Sequence, residues 1–434
     1  MDTIVNFKEE ISMKKIVSML ASLALVASLA ACGEKTETPA ETPGETPAET
    51  PEETPEEEEE PAQGVTDTSI LVGNSAATSG AYAPVGVPFN AGIEAYFAMI
   101  NDAGGVDGRM IEFTHIDDEF DPVKGKAALS TLVEDEEIFA LVGHFGTPVV
   151  GATIEDVKEY GIPAVYFATG IGQLYNDKAE GKDRGIFPVQ PIYQTEGQIM
   201  VARAVGDFEA KKIGVIYTND DAGKDLYSGV EAKAKELGVE VVAEQVAAGA
   251  TDVSSAVTSI KNAEVDFIIG AAIQATIPTI VKELAAQNVN KDVITTYVNV
   301  SPVISEAVVN EIDGKFDVYG LGWVDLVENA DSLAAFAEWA PDYATNVYAM
   351  TGWIAGHFFT EGLKRVEGTV TWDKFMDAME SEPIKNPFGG TIDYADGLRA
   401  GTQEMNLAKV AMVEGAPGWE PVDGLQSMDS LLGN

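Results

Sequence analysis

The sequence predicts an α/β protein with two doubly wound parallel-sheet lobes, and three observations carry that reading. Short apolar runs alternate with longer amphipathic ones from about Thr66 onward. The short runs are continuously hydrophobic instead of alternating, as strands buried on both faces must be. The cycle restarts after Ile192, so the units fall into two successive groups, each able to build its own sheet.

Residues 70–73 read as the first strand, and 88–103 as a helix with Phe89, Ile93, Tyr96, Phe97 and Ile100 on one side. Strands follow at 111–113 and 140–142, with a helix between them through Ala127, Leu129 and Leu132, and another strand at 164–167. In the second group the order is helix 195–208, strand 213–217, helix 224–237, strand 239–243, helix 253–262 and strand 266–269. Strands separated by helices pair in parallel through right-handed crossovers. Trp339, Trp353, Phe358 and Phe359 fall at helical spacings that fit core packing.

Composition narrows the function. The 434 residues suggest two or three globular units, because single cores stop growing near ~250–300 residues. With 71 Asp and Glu against 27 Lys and Arg, a net charge of −44 excludes a nucleic-acid partner, which needs a basic face. One cysteine excludes an intrachain disulfide and any cysteine-rich zinc module. The three histidines, His115, His144 and His357, are far apart, so no metal site is expected. His144 follows a buried strand end and reads as a core histidine. The segment from Ile116 to Asp121 lacks the register of a calcium loop and reads as a polar turn. Gly-x-Gly-x-x-Gly, P-loop and Gly-x-Ser-x-Gly patterns are absent, so no cofactor is expected and the hydrolase signature is missing.

The N-terminus reads as an address. Met13-Lys14-Lys15 opens an apolar run over 16–31, broken only by Ser18, Ser22 and Ser28. A positive start and an apolar stretch too short to span a bilayer make 1–31 a secretory signal. Residues 1–12 carry Asp2, Glu9 and Glu10 and fit no signal, so Met13 is a second candidate for the true start. The run ends in Leu29-Ala30-Ala31-Cys32, which resembles the lipobox of bacterial lipoproteins and implies cleavage before Cys32 and acylation of its sulfur. Residues 32–65 then form a tether. Thr-Pro recurs every four residues from Thr38-Pro39 to Thr54-Pro55, and 33–61 hold twelve Glu and one Lys. Proline at that frequency prevents helix, and self-repelling carboxylates extend the chain to on the order of 100 Å.

Motifs in the globular part resemble the type I periplasmic binding proteins of the branched-chain amino acid class. They include Ala77-Thr78-Ser79-Gly80 after the first strand, and the run Ile100-Asn101-Asp102-Ala103-Gly104-Gly105-Val106-Asp107-Gly108-Arg109. Asp117-Asp118 with Asp121-Pro122, Val142-Gly143-His144, and Gly161-Ile162-Pro163 before Ala168-Thr169-Gly170 also match. Tyr217 to Gly223, Asp266-Phe267 and Phe388-Gly389-Gly390-Thr391-Ile392 complete a likeness over roughly 66–412. The resemblance implies two lobes joined by a three-crossover hinge, with crossovers near Ile192, Gly322 and Leu407. Lobe 1 would be 66–192 plus 322–406, and lobe 2 would be 193–321 plus 407–434. Such proteins close on one small solute and present the closed form to an ABC importer.

Ligands in open parallel sheets lie beyond the C-terminal ends of strands, where helix N-termini point. In lobe 1 this selects Ser79 with Tyr82, Thr147 with Pro148, and Ala168-Thr169-Gly170. Thr147 can cap a helix that begins at Pro148, either as a ligand contact or as a plain structural cap, and its exposed N–H groups suit a carboxylate. The resemblance gives this position and the Ala168–Gly170 loop to the carboxylate and amino group of an amino acid. Gly170 stands where the family often has threonine, so a hydroxyl is missing or comes from Thr169. In lobe 2 the resemblance selects Ala222, where an aromatic is usual, Ile273 next to Gln274, where a tyrosine is usual, and Val298-Asn299, where an acidic residue is expected to meet the ammonium. Asp220-Asp221 can substitute for it or stay solvated. Trp323, at a crossover, is either core or ligand contact.

The function expected is a membrane-anchored, extracytoplasmic solute-binding protein. It would deliver a small amino-acid-like, carboxylate or amide ligand to an ABC permease, acting as a monomer and not as an enzyme. Without an acidic partner for the ammonium, an organic acid, amide or larger derivative is favoured over free leucine, isoleucine or valine. A ligand-sensing lipoprotein for a chemoreceptor or kinase is the alternative, and a surface hydrolase a third reading.

Overall fold

Two sheets organise the chain in this computed structural model, which describes residues 59–274, 276–312, 314–325 and 329–433. The signal segment, Cys32 and most of the tether lie outside the described residues. The described residues form one compact unit.

The first group of elements runs β1 (Ser69–Ala76), α1 (Ala83–Asp102), β2 (Met110–Asp117), α2 (Pro122–Ser130), β3 (Ala140–Phe145), α3 (Thr147–Tyr160), β4 (Ala164–Ala168) and β5 (Ile186–Phe187). These strands form a five-stranded, all-parallel sheet in the order β2-β1-β3-β4-β5. The second group runs α4 (Tyr193–Gly206), β6 (Lys212–Thr218), α5 (Asp221–Leu237), β7 (Glu240–Val246), α6 (Ser254–Asn262), β8 (Phe267–Ala271), α7 (Thr276–Ala286), β9 (Val293–Thr295), α8 (Pro302–Ile312) and β10 (Val318–Gly322). Helices α9 (Ala330–Trp339), α10 (Val347–Leu363) and α11 (Trp372–Ser381) follow, then the short pair β11 (Ile384–Lys385) and β12 (Thr391–Ile392), and finally β13 (Met405–Val413), β14 (Ala416–Gln426) and α12 (Met428–Leu432). The second sheet has the order β14-β13-β10-β9-β8-β6-β7.

Strand neighbours in sequence explain the continuous hydrophobic runs. Val142 packs into one apolar cluster and Leu141 into another, and Ile269 and Ile268 divide in the same way in the second sheet. Each sheet is therefore covered on both faces, and the polar side chains on its central strands, such as Asn74, Ser75 and His144, are buried near the C-terminal strand ends. Helix starts obey local chemistry. Asp121 accepts from Val123 N and Lys124 N at 2.8 and 3.1 Å to open α2, and Asp220 accepts from Gly223 N at 3.0 Å to open α5.

The second sheet is not wholly parallel as expected. β13 runs antiparallel to both of its neighbours, β10 and β14. The reason is local: Glu414 and Gly415 both take positive φ (52° and 88°), the two-residue turn that folds a chain straight back on itself.

The chain passes between the sheets three times, after β5, after β10 and before β13. The first and third passages are bonded together, Thr402 donating from N and Oγ1 to Val189 O at 2.9 and 2.8 Å. Arg203 of α4, fully buried, reaches Met405 O at 2.9 Å, Asp423 at 2.7 Å and Asp207 at 2.9 Å, fastening the final hairpin to the second lobe.

Candidate functional site

The loops that leave the C-terminal ends of strands in both sheets face a common cleft with about 990 Å³ of empty space, part of it open to solvent. From the first sheet come Phe145 at the end of β3 and Thr147 just after it, Ala168 at the end of β4, and Phe120 after β2. From the second come Ile273 and Gln274 after β8, Tyr297 and Val298 after β9, and Trp323 after β10. Backbone parting at strand ends leaves the helix-leading N–H groups facing such a crevice, which is why it recurs there.

The first wall is aromatic. Tyr82 and Phe120 stack with ring centroids 3.7 Å apart, and Phe120, Phe145 and Phe89 continue the surface at 6.2 and 5.7 Å. Phe120 is placed by its turn. Buried Asp118 accepts from Phe120 N at 2.7 Å and from the Ser75 hydroxyl, while Glu119 and Phe120 both take positive φ. Burial pushes the Asp118 carboxyl up against the pull of those two bonds. The ring then lies over Gly146, whose φ is +92° and where a Cβ would sit 2.6 Å from it. Only glycine satisfies both conditions.

Gly146 is also the residue that precedes α3. Thr147 is the first residue of that helix and makes no capping bond; its Oγ1 pairs with Thr169 Oγ1 at 2.8 Å. The Tyr193 hydroxyl is near both threonine hydroxyls, and burial pushes its pKa up to about 12 although their influence pulls the other way. Three hydroxyls thus meet at a helix start whose leading N–H groups have no acceptor within the helix.

At the hinge, Gln190 joins the lobes. It accepts from Tyr166 Oη at 2.9 Å and donates to Tyr297 Oη at 2.7 Å. The loop after β4 makes a second bridge, Gly172 N donating to Asp225 of α5 at 2.6 Å. Behind the second wall lies Glu196, fully buried, which accepts from Thr296 Oγ1 at 2.8 Å and from Tyr297 N at 2.7 Å. It has no ion-pair partner among the described residues, and burial pushes its pKa up to about 8. None of the described side chains lining the cleft is charged.

A two-lobed cleft of this build has many relatives. The family model described as "Periplasmic binding protein" matches residues 69–416. The chain belongs to the periplasmic binding protein family. A Leu/Ile/Val-binding protein homolog 1 of Brucella abortus is 23% identical over 329 residues, 74% of this chain and 85% of that protein. An amino acid binding protein of Pseudomonas aeruginosa is 28% identical over 193 residues, 44% of this chain and 50% of that protein. Among solved structures, a fatty acid ABC transporter substrate-binding protein from Thermomonospora curvata superposes with a TM-score of 0.72 at 19% identity, covering 86% of this chain and 96% of that one. A branched chain amino acid ABC transporter protein from Thermus thermophilus, with bound valine, gives 0.70 at 14%, covering 85% and 100%. These structural likenesses carry the fold.

Of the residues selected from sequence, Tyr82, Thr147, Ala168, Ile273 and Gln274 line the cleft of this family member. The others stand back from the lining. Ser79 is exposed, its N donating to Asp117 at 3.3 Å. Thr169 is buried behind Thr147 and accepts from Ile171 N at 3.1 Å. Gly170 has no room for any side chain, because a Cβ would lie 2.4 Å from Pro191 O. Ala222 is buried in the core, and Asn299 is spent on the loop it supports, accepting from Gln274 N at 2.6 Å and donating to Ala272 O at 2.8 Å. Thr147 is not the cap expected; Gly146 occupies that position. Asp220 is neither free nor fully solvated: it caps α5 and accepts from Thr218 Oγ1 at 2.7 Å, while Asp221 is exposed. Trp323 lines the cleft and is also buried. His144 is buried, bonded to Thr153 Oγ1 at 2.7 Å, with burial lowering its pKa to about 4.

Phe120, Tyr193, Gln190 and Tyr297 were not selected from sequence. Phe120 had one visible sign, a lone aromatic in an acidic turn just past a strand. Tyr193 and Tyr297 each begin the segment that follows a crossover or a strand, and nothing in their neighbours marks which loops converge.

Proposed function

We propose that this chain is an extracytoplasmic solute receptor. It captures a small organic ligand with a carboxylate or amide head between its lobes and hands the closed form to an ABC permease. A lipid on Cys32 and the acidic Thr-Pro tether would keep it at the membrane surface. The observation that carries the reading is the cleft itself, whose walls come from both sheets and are bridged through Gln190 and Asp225. Family membership supports an extracytoplasmic place and a binding role, and the curated relatives named above are binding proteins. The hydroxyls of Thr147 and Tyr193 at the start of α3 support an anionic or amide head. No helix among the described residues is long and apolar enough to cross a membrane.

Two measurements test this. Small-angle scattering of the purified chain should give a smaller radius of gyration with its co-purifying solute than after the solute is removed. An unchanged radius with saturating solute refutes the clamshell. Cys32→Ala should move the protein out of the membrane fraction and abolish labelling by radioactive fatty acid; a variant that stays membrane-bound refutes the anchor.

A further inference from the structure

Accepting that the cleft binds a solute, its lining goes further than a polar head and names the body of the molecule. The space is walled by aromatic rings on one side, with the stacked Tyr82–Phe120 pair and Phe145 in continuous contact. A second stack faces it from the hinge and second lobe, Tyr193 on Tyr297 at 6.1 Å and 28° between planes. We propose that the cleft selects an aryl monocarboxylate without an amine, its ring held between these aromatic surfaces and its carboxylate at the start of α3.

Charge excludes the zwitterion. An ammonium group taken from water into a site without a counter-charge loses its hydration with nothing to replace it. No charged side chain lines the cleft among the described residues. The nearby carboxylates stay outside the lining: Glu196 holds Thr296 and Tyr297 N from behind the wall, Asp225 accepts from Gly172 N, Asp221 is exposed, and Asp220, whose charge reaches the Tyr82 hydroxyl, is fixed as the cap of α5. A carboxylate is a different matter. The leading N–H groups of α3, with the hydroxyls of Thr147 and Tyr193, give it donors and the positive end of a helix dipole. One charge is therefore accommodated, and its sign is negative.

Shape decides the body. Rings placed 3.7 to 6.2 Å apart offer faces and edges, and a flat ring exploits them better than a branched alkyl chain of equal area. Phe120 is the residue that sets this, because Gly146 and two left-handed residues exist to let it into the cleft.

Titration calorimetry on the full chain, stripped of co-purified solute, with fluorescence of the lining Trp323 as a second readout, tests the inference. Four probes suffice: 3-phenylpropanoate, phenylalanine, 4-methylpentanoate and leucine, two pairs that differ only in the amine. The acid of each pair should bind about 100-fold more tightly than its amino acid, and the aryl acid about tenfold more tightly than the aliphatic one. Phe120→Leu should weaken the aryl acid about fivefold and leave the aliphatic acid within about twofold. Phenylalanine or leucine binding as tightly as its amine-free partner overturns the exclusion of the amine. An aliphatic acid that matches the aryl acid, or a Phe120→Leu variant with unchanged aryl affinity, overturns the aromatic selection. If none of the four binds while the co-purifying solute still compacts the protein, the inference fails and the receptor reading stands. If nothing binds or compacts it, both fail.

Discussion

Replacing Glu196 with Gln should remove a loss of stability that the native chain suffers as pH rises toward neutrality. In the unfolded chain this carboxyl ionises near 4.5, whereas burial holds its proton in the folded protein up to about 8. Between those values the folded state carries one proton more than the unfolded one, so each unit of pH favours unfolding by about 1.4 kcal/mol. The contribution is fully favourable below about pH 4.5 and is lost as pH climbs toward 8. From pH 5 to pH 7 the native chain should lose about 2 to 3 kcal/mol through this group alone. Gln fits the same site: its Oε1 accepts from Tyr297 N as Glu196 does, and its amide donates to Thr296 Oγ1. Urea unfolding of both proteins at several pH values isolates the effect, since every other group titrates in both. E196Q should gain on the native chain by that amount between pH 5 and 7. Parallel profiles would refute the buried, protonated carboxyl, and a native chain that gains on E196Q at neutral pH would mean that the carboxylate is ionised in the fold.

Other outcomes follow from the same contacts. Gly146→Ala should cost about 2 kcal/mol or more, because it adds a side chain at φ +92° against the Phe120 ring. Adding Phe120→Ala to it should recover part of that cost, and strict additivity of the two changes in thermal unfolding would refute the steric link. Arg203→Met should destabilise by about 3 kcal/mol, since it leaves Met405 O and two half-buried carboxylates without their buried partner; a loss under about 0.5 kcal/mol in urea denaturation would show that the hairpin is held by packing alone.

The fold was legible because both faces of each sheet are covered. That condition makes strands such as Phe267–Ala271 apolar throughout, and amphipathic helices between them complete the pattern. The antiparallel hairpin was not legible, because a long strand such as Ala416–Gln426, with two prolines and little burial, lacks any continuous apolar run. The site was legible where a residue sits directly beyond a strand, as with Thr147 after β3 and Ile273 after β8. Thr147 still took a different part from the one expected, since capping is decided by backbone φ and ψ, and Gly146 holds the geometry that a threonine there could not. Asn299 sits near the cleft in sequence terms, but its amide is satisfied by three neighbours on its own lobe. Which buried polar groups bond to each other is a tertiary fact that local pattern does not carry.

The acidic turn after β2 is where local and tertiary readings part, and the cause can be traced atom by atom. As a string, the segment from Asp117 to Asp121 has four carboxylates around one phenylalanine, and solvation is the economical reading. In the fold, three of those carboxylates are spent on backbone. Asp117 accepts from Thr78 N and Glu119 N at 3.0 Å each, Asp118 from Phe120 N, and Asp121 from the first N–H groups of α2. Those bonds hold Glu119 and Phe120 in left-handed conformations that non-glycine residues adopt only when their surroundings impose them. The result is that a ring which would otherwise point to water is turned over Gly146 and against Tyr82. Three carboxylates thus act as backbone acceptors that aim an aromatic side chain, and they do so without any of them entering the cleft. A lining without charge among the described residues and an acidic sequence are consistent here because these carboxylates do structural work one layer behind the cleft surface.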